Sequence, residues 1–246
     1  MLSWNNLLEE INQLFVKTTR DKIFNGEVEN FSEHVRACLK LNKIEDWNYI
    51  LASEDILEDS NLAIESFLKF GLGGPTKYKD AGEKYLRLYG VLNAAYLQQQ
   101  SIFTLYKLFQ CPKPNNIKLK IESLEIRGLR HRLGAHSTDF SDNVSGEIYS
   151  YVPVRMMLED FKCDYFNHTT DTYCEVNLKE IIESHLKLMC SIYYDILIKS
   201  VKTIYKSNPS KINSLNESAE PFKAMISGSG IIKDALSGKY LIINFV

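Results

Sequence analysis

A chain of 246 residues, 45% hydrophobic and 24% charged, with only 12 Gly and 6 Pro, is long enough to bury a core and is neither fibrous nor disordered in composition. A formal net charge of -2 excludes a global electrostatic pull toward nucleic acid or an anionic membrane, so any site for a polyanion has to be local.

Helical periodicity dominates the chain. Over residues 3–18 the apolar positions Leu7, Leu8, Ile11, Leu14 and Phe15 recur at three and four and predict a first amphipathic helix. Ser32 is placed to cap a second helix carrying Val35, Cys38 and Leu39. A third is expected after Ser53, with Glu54 and Asp55 at its positive end, running through Ile56, Leu57, Leu62, Ile64 and Leu68 until Gly71-Leu72-Gly73-Gly74-Pro75 stops it. Asp80 and Glu83 have capping-box spacing, and Tyr85, Leu88, Leu92, Ala95, Gln99, Ile102, Tyr106 and Phe109 behind them keep one continuous stripe. Such a helix is roughly 45 Å long, the length of a bundle spine. Cys111-Pro112-Lys113-Pro114 ends it, and a fifth helix is expected over about residues 118–134.

Residues 138–172 lose the helical period. Ile148, Tyr149, Tyr151, Val152, Val154, Tyr165 and Phe166, with Pro153 among them, read as a small hairpin or irregular excursion. Asn177 and Glu180 form a second capping box, opening a long helix through Ile182, Met189, Ile192, Ile196 and Ile204. After Ser207 the run from Asn208-Pro209-Ser210 through Glu220 reads as a linker, and the apolar end, residues 240–246, is expected to dock on the bundle or pair with a neighbouring chain. The expected fold is therefore all-α: an up-and-down helical bundle over residues 1–207 with an excursion at about 138–172, and a C-terminal extension over 208–246.

Residues 1–10 carry Glu9 and Glu10 and lack a basic segment followed by an apolar one, so no secretory leader is expected. The most apolar stretch, residues 186–198, contains Asp195 and falls short of the roughly 20 residues a bilayer requires, so no membrane span is expected and the location is taken as cytoplasmic. Five cysteines without a Cys-x-x-Cys pair fit free thiols in a reducing compartment, with Cys163 and Cys174 the pair a hairpin could bring together.

Chemistry concentrates near the end of the fifth helix, where Arg127, Arg130, His131, Arg132 and His136 surround Leu129 and Leu133. On an ideal wheel Arg132 and His136 lie about 40° apart and Arg130 and His136 about 120° apart. Gly134 favours helix termination, which lets His136 leave the wheel toward Arg130, so spacing alone does not choose between the two arginines. A purely structural reading stands beside this one: the three arginines pair with Glu122, Glu125 and neighbours, and His136 complements the helix dipole.

The run Leu129-Arg130-His131-Arg132-Leu133-Gly134-Ala135-His136 resembles the signature of the HEPN superfamily (higher eukaryotes and prokaryotes nucleotide-binding): an arginine, a polar residue after it, and a histidine a few residues on, late in a helical bundle. Arg130 and His136, with five residues between them and His131 in the polar slot, fit that pattern. The resemblance is sharp over these eight residues and architectural over residues 1–207, and it explains neither the excursion nor the C-terminal extension. It implies a metal-independent endoribonuclease acting on single-stranded RNA as a homodimer, in a toxin–antitoxin or abortive-infection system with an antitoxin partner. It equally allows a non-catalytic HEPN-like module that binds a nucleotide or a protein such as a nucleotidyltransferase. On the ribonuclease reading the RNA 2′-hydroxyl attacks the adjacent phosphate. His136 then moves protons, Arg130 holds the phosphate, His131 orients or assists, and Arg132 and Arg127 are further phosphate contacts, the two-fold copy supplying a second histidine. No metal and no cofactor are called for.

Other signals are read structurally. His185 falls on the apolar stripe of the last long helix and is expected to be a hydrogen-bonded core residue. His34 and His168 are isolated. The Gly71–Pro75 loop followed by Lys77 lacks the ending of a phosphate-binding loop, and Gln98, Gln99 and Gln100 are expected to form a buried polar layer or a dimer register.

Overall fold

A computed structural model describes residues 1–24, 29–76, 80–141, 146–234 and 236–244. The chain is mostly helical, about 65%, with small antiparallel sheets. In order the helices are α1 (Trp4–Ile23), α2 (Phe31–Leu39), α3 (Asp46–Phe70), α4 (Ala81–Leu108), α5 (Pro114–Glu122), α6 (Glu125–Leu129), α7 (Leu178–Ile204) and α8 (Pro209–Ile226). The strands are β1 (Phe140–Ser141), β2 (Ile148–Tyr149), β3 (Tyr151–Pro153), β4 (Tyr165–Asn167), β5 (Thr172–Cys174), β6 (Gly230–Lys233) and β7 (Tyr240–Ile243). Among the described residues no helix is long and apolar enough to cross a membrane, and all five cysteines are free thiols.

The caps expected ahead of α4 and α7 are present, and α1 carries a side-chain cap as well. Ser3 accepts from the Asn6 amide at 3.2 Å and opens α1. Asp80 accepts from the Gly82 and Glu83 amides ahead of α4, and Asn177 accepts from the Lys179 and Glu180 amides while donating to Glu180 Oε1 at 2.7 Å ahead of α7.

Four local expectations are corrected. Asn30, not Ser32, caps α2, its side chain accepting from the Glu33 amide. Helix α3 begins at Asp46, so Ser53 and Glu54 are buried interior residues rather than a terminus. The fifth helix is not continuous over 118–134: α5 starts on Pro114, ends at Glu122, and α6 follows after a break. Residues 208–220 form α8, not a linker, with Asn208 as cap, Pro209 in the first turn, and Leu215, Ala219, Phe222 and Met225 as its buried stripe.

The chain divides into two compact units, each assembled from separated stretches, with α3, α4, α5 and α7 contributing residues to both. The first comprises Met1–Glu58, Gln100–Ile117 and Leu186–Val246. Its core is set by Phe15, whose ring meets Phe109 edge-on at 5.3 Å and Tyr193 at 5.4 Å; the Tyr193 hydroxyl donates to Asn12. Here the C-terminal hairpin β6–β7 is tied down: the Leu2 amide donates to the Ile231 carbonyl, Tyr240 donates to Glu10, and Phe222 meets the Tyr240 ring edge-on.

The second unit comprises Asp59–Gln99 and Lys118–His185. Its excursion is a β1–β2 pair and a three-stranded antiparallel sheet in the order β3–β4–β5, with Tyr151 opposite Asn167 and Tyr165 opposite Cys174. Gly71 anchors it. At φ +61° it ends α3, and an added Cβ would lie 2.7 Å from the Asp160 carbonyl oxygen, the same oxygen that accepts from the Leu72 amide. Lys77 lies outside the described residues.

Candidate functional site: a cationic π-helical turn

All the candidate residues belong to the second unit. Leu124 enters α6 in an extended conformation, and Ile126, Leu129 and Leu133 are buried, which points the residues between them toward the surface and toward α4. At Arg130 the helix widens into a π-helical turn, Arg130–Ala135, closed by the His136 amide donating to the His131 carbonyl at 2.8 Å. The turn is not ended by Gly134 in a left-handed conformation; positive φ occurs at other glycines. An extra residue in the turn, rather than a glycine break, repositions His136.

The consequence is a histidine pair. Five residues apart, His131 and His136 would diverge by about 140° on an α-helical wheel. In the widened turn their rings stack, planes 18° apart and centroids separated by 6.3 Å. His136 is exposed, and its Nδ1 lies 3.4 Å from Asp139 Oδ1. His131 is half-buried, and its ring nitrogens have no partner among the described residues yet are not sealed from solvent. Burial first, then the charges of Arg127, Arg130 and His136, push the His131 imidazole below its ordinary value, with Glu122 pulling weakly the other way. At neutral pH His131 is a neutral base.

The arginines are held by aromatic rings, not by carboxylates. Arg130 lies 4.2 Å from the centroid of Tyr96 on α4, and Arg127 lies over the same ring at 5.0 Å. Arg132 is turned away, 5.3 Å from the Tyr165 ring and 6.0 Å from Tyr151, with its Nε buried and without a hydrogen-bond partner. Gly128 makes room for it: an added Cβ would come within 3.3 Å of the Arg132 guanidinium. Among the described residues none of the three arginines forms an ion pair, and Glu122 lies 3.7 Å from Lys118 instead. The purely structural account, in which Glu122 and Glu125 neutralise the run, is not what the side chains do. Arg127, Arg130, His131 and His136 are thus brought together, and Arg132 is not among the charges acting on His131.

A buried polar layer anchors the group from behind. Arg127 Nη1 donates to Gln99 Oε1 at 3.0 Å, and since a guanidinium can only donate, the Gln99 amide nitrogen must face His185 Nδ1, 3.4 Å away. Nδ1 therefore accepts, the proton sits on Nε2, and Nε2 donates to Gln98 Oε1 at 2.9 Å; Gln98 then donates to Asn61. Burial pushes His185 down to about 3, so it stays neutral, a core histidine with both nitrogens satisfied. The glutamines are this layer.

Three partners went unrecognised in the sequence. Tyr96 lies one helical turn before Gln99 on α4, and Asp139 lies three residues after His136; spacing could have suggested both. The Tyr151–Tyr165 cage depends on strand pairing and had no local signal. Among the described residues no group of three or more His, Cys, Asp or Glu side chains is assembled for a metal ion. A cavity of about 670 Å³ in the same unit is lined by Glu159, Asp160, Glu175 and Glu180 among others; it shares no residue with the motif and has the wrong sign for a phosphate. What the cationic turn offers chemically is a proton acceptor, an exposed imidazole beside a carboxylate, and guanidiniums free to fork onto phosphate oxygens. Comparison with protein families, with curated proteins and with solved structures gives no match for this chain, so its chemistry is read from these residues alone.

Proposed function

We propose that the chain is a metal-independent endoribonuclease of HEPN type that cleaves single-stranded RNA by transesterification through its 2′-hydroxyl. One observation carries this reading: an exposed histidine and a depressed, solvent-reachable one sit side by side among guanidiniums that no carboxylate of the described residues neutralises. Uncompensated positive charge is costly to assemble and is repaid when a phosphate docks. Arg130 is the phosphate clamp, Arg127 supports it from the Gln99 layer, and His136 exchanges the proton. A homodimer would double the positive surface.

Purified protein is expected to cut single-stranded RNA in EDTA and to leave 2′,3′-cyclic phosphate ends. His136→Ala should lower the rate about 10²- to 10⁴-fold while keeping the melting temperature. Undiminished cutting by that variant removes the assignment. The second reading, a non-catalytic HEPN-like module binding a nucleotide or a partner, is favoured by Arg132, whose guanidinium is spent on Tyr165 and Tyr151. It predicts nucleotide or partner binding without turnover.

A further inference from the structure

In the sequence reading a single proton-transferring histidine per chain made a second subunit necessary, because an acid and a base are both required. The π-helical turn changes that count. His136 sits where its Nδ1 faces Asp139, leaving Nε2 for a reacting group, and His131 presents ring nitrogens that no described residue occupies. The two rings lie on one face, nearly parallel and 6.3 Å apart, close enough to serve two oxygens of one phosphodiester. Asp139 and His131 face His136; Arg127, Arg130, His136 and Glu122 face His131, and α4 adds the uncharged Tyr96 ring and Gln99 beneath the guanidiniums. Two imidazolium rings stacked beside two guanidiniums repel, and Arg127, Arg130 and His136 all push the His131 imidazole down. Asp139 stands beside His136 and not beside His131, which gives His136 the donor's part.

We propose that His131 and His136 of one chain are a complete general base and general acid for RNA transesterification, so that each subunit carries its own pair. This rests on the ribonuclease reading above. A ring nitrogen of His131 takes the 2′-hydroxyl proton as the O2′–P bond forms. The P–O5′ bond breaks, and O5′ takes its proton from His136 Nε2, giving a 2′,3′-cyclic phosphate and a 5′-hydroxyl. Arg130 meets the charge on the non-bridging oxygens throughout. His131 ends protonated and His136 neutral, and exchange with water restores both.

The test is a subunit-mixing titration of the full chain, with the His131→Ala/His136→Ala double variant added to unaltered protein under conditions that exchange subunits. If each chain is self-sufficient, activity falls in proportion to the unaltered fraction, to about a tenth at nine parts variant to one. If both copies of His136 are needed, it falls as the square, to about a hundredth. Proportional loss, together with a bell-shaped pH profile that loses its acid limb in His131→Ala and its alkaline limb in His136→Ala, supports the proposal. Quadratic loss, or a His131→Ala variant with unchanged rate and profile, overturns it and leaves the ribonuclease reading standing. Absence of any cutting by the unaltered protein overturns both.

Discussion

Arg20 and Arg130 each lie over an aromatic ring, and they differ in what else they touch. In the first unit Arg20 sits 4.6 Å from the Trp47 ring and reaches Glu54 at 2.7 Å, a carboxylate almost wholly buried. In the second unit Arg130 sits 4.2 Å from the Tyr96 ring, with no carboxylate paired to it among the described residues. The same stacking therefore serves two ends. Where an acid completes the contact, the charge is consumed inside the fold; where none does, it remains available to something outside. The histidines repeat the contrast, since His185 has both nitrogens satisfied and is held neutral, whereas among the described residues neither nitrogen of His131 has a partner.

The buried pair is the place to break this comparison with the largest effect. Only one oxygen of Glu54 and one terminal nitrogen of Arg20 are joined; Glu54 Oε1 and Arg20 Nη1 are buried without partners. Burial consequently outweighs the ion pair and pushes Glu54 up to about 7. Arg20→Met leaves a carboxylate buried alone and should cost about 3–5 kcal/mol at pH 8, with a smaller loss at pH 5 where Glu54 is protonated. Denaturant unfolding at the two pH values checks it. An equal, small loss at both would mean the pair is not a structural ion pair.

Next in size are two opposed pH dependences. Glu54 is about 7 in the folded protein against 4.5 for the free group, so the folded state binds the extra proton and its contribution to stability declines as pH rises through that window. His185 is about 3 against 6.5, so the unfolded state binds the extra proton and stability declines as pH falls below 6.5. The slopes oppose each other between pH 4.5 and 6.5. Glu54→Gln should uncover an acid-side fall in melting temperature that the unaltered protein masks. A variant curve parallel to that of the unaltered protein would remove the assignment.

Smallest is the ring beneath the free guanidiniums. Tyr96→Leu should weaken single-stranded RNA binding by about 0.5–2 kcal/mol, roughly 2- to 30-fold in Kd, with little change in melting temperature. Trp47→Leu should do the reverse, lowering stability and leaving RNA binding alone. Equal binding losses in both would erase the distinction between a consumed and an available arginine.

The residues that could be read directly were those whose partners lie within one turn of chain. Asp80 and Asn177 cap their own helices, and the Gly71 loop stops another. Asn208-Pro209 is equally local yet reads as a linker, although an Asn cap followed by proline is a helix start and residues 215–225 carry a helical stripe. Ser53 misled for the opposite reason: it has the chemistry of a cap, but packing buries it inside α3.

From its amino acids alone the chain determined a helical fold, a β excursion after residue 138, a buried His185 and a cationic run at 127–136, because each follows from side-chain type and short-range spacing. Only the tertiary structure decided that the run widens into a π-helical turn, that the His131 ring stacks on His136, and that Tyr96 rather than Glu122 receives the guanidiniums. Those outcomes depend on what α4 and the β3–β4–β5 sheet place against the turn, and contacts between segments far apart in the chain leave no periodic trace in it.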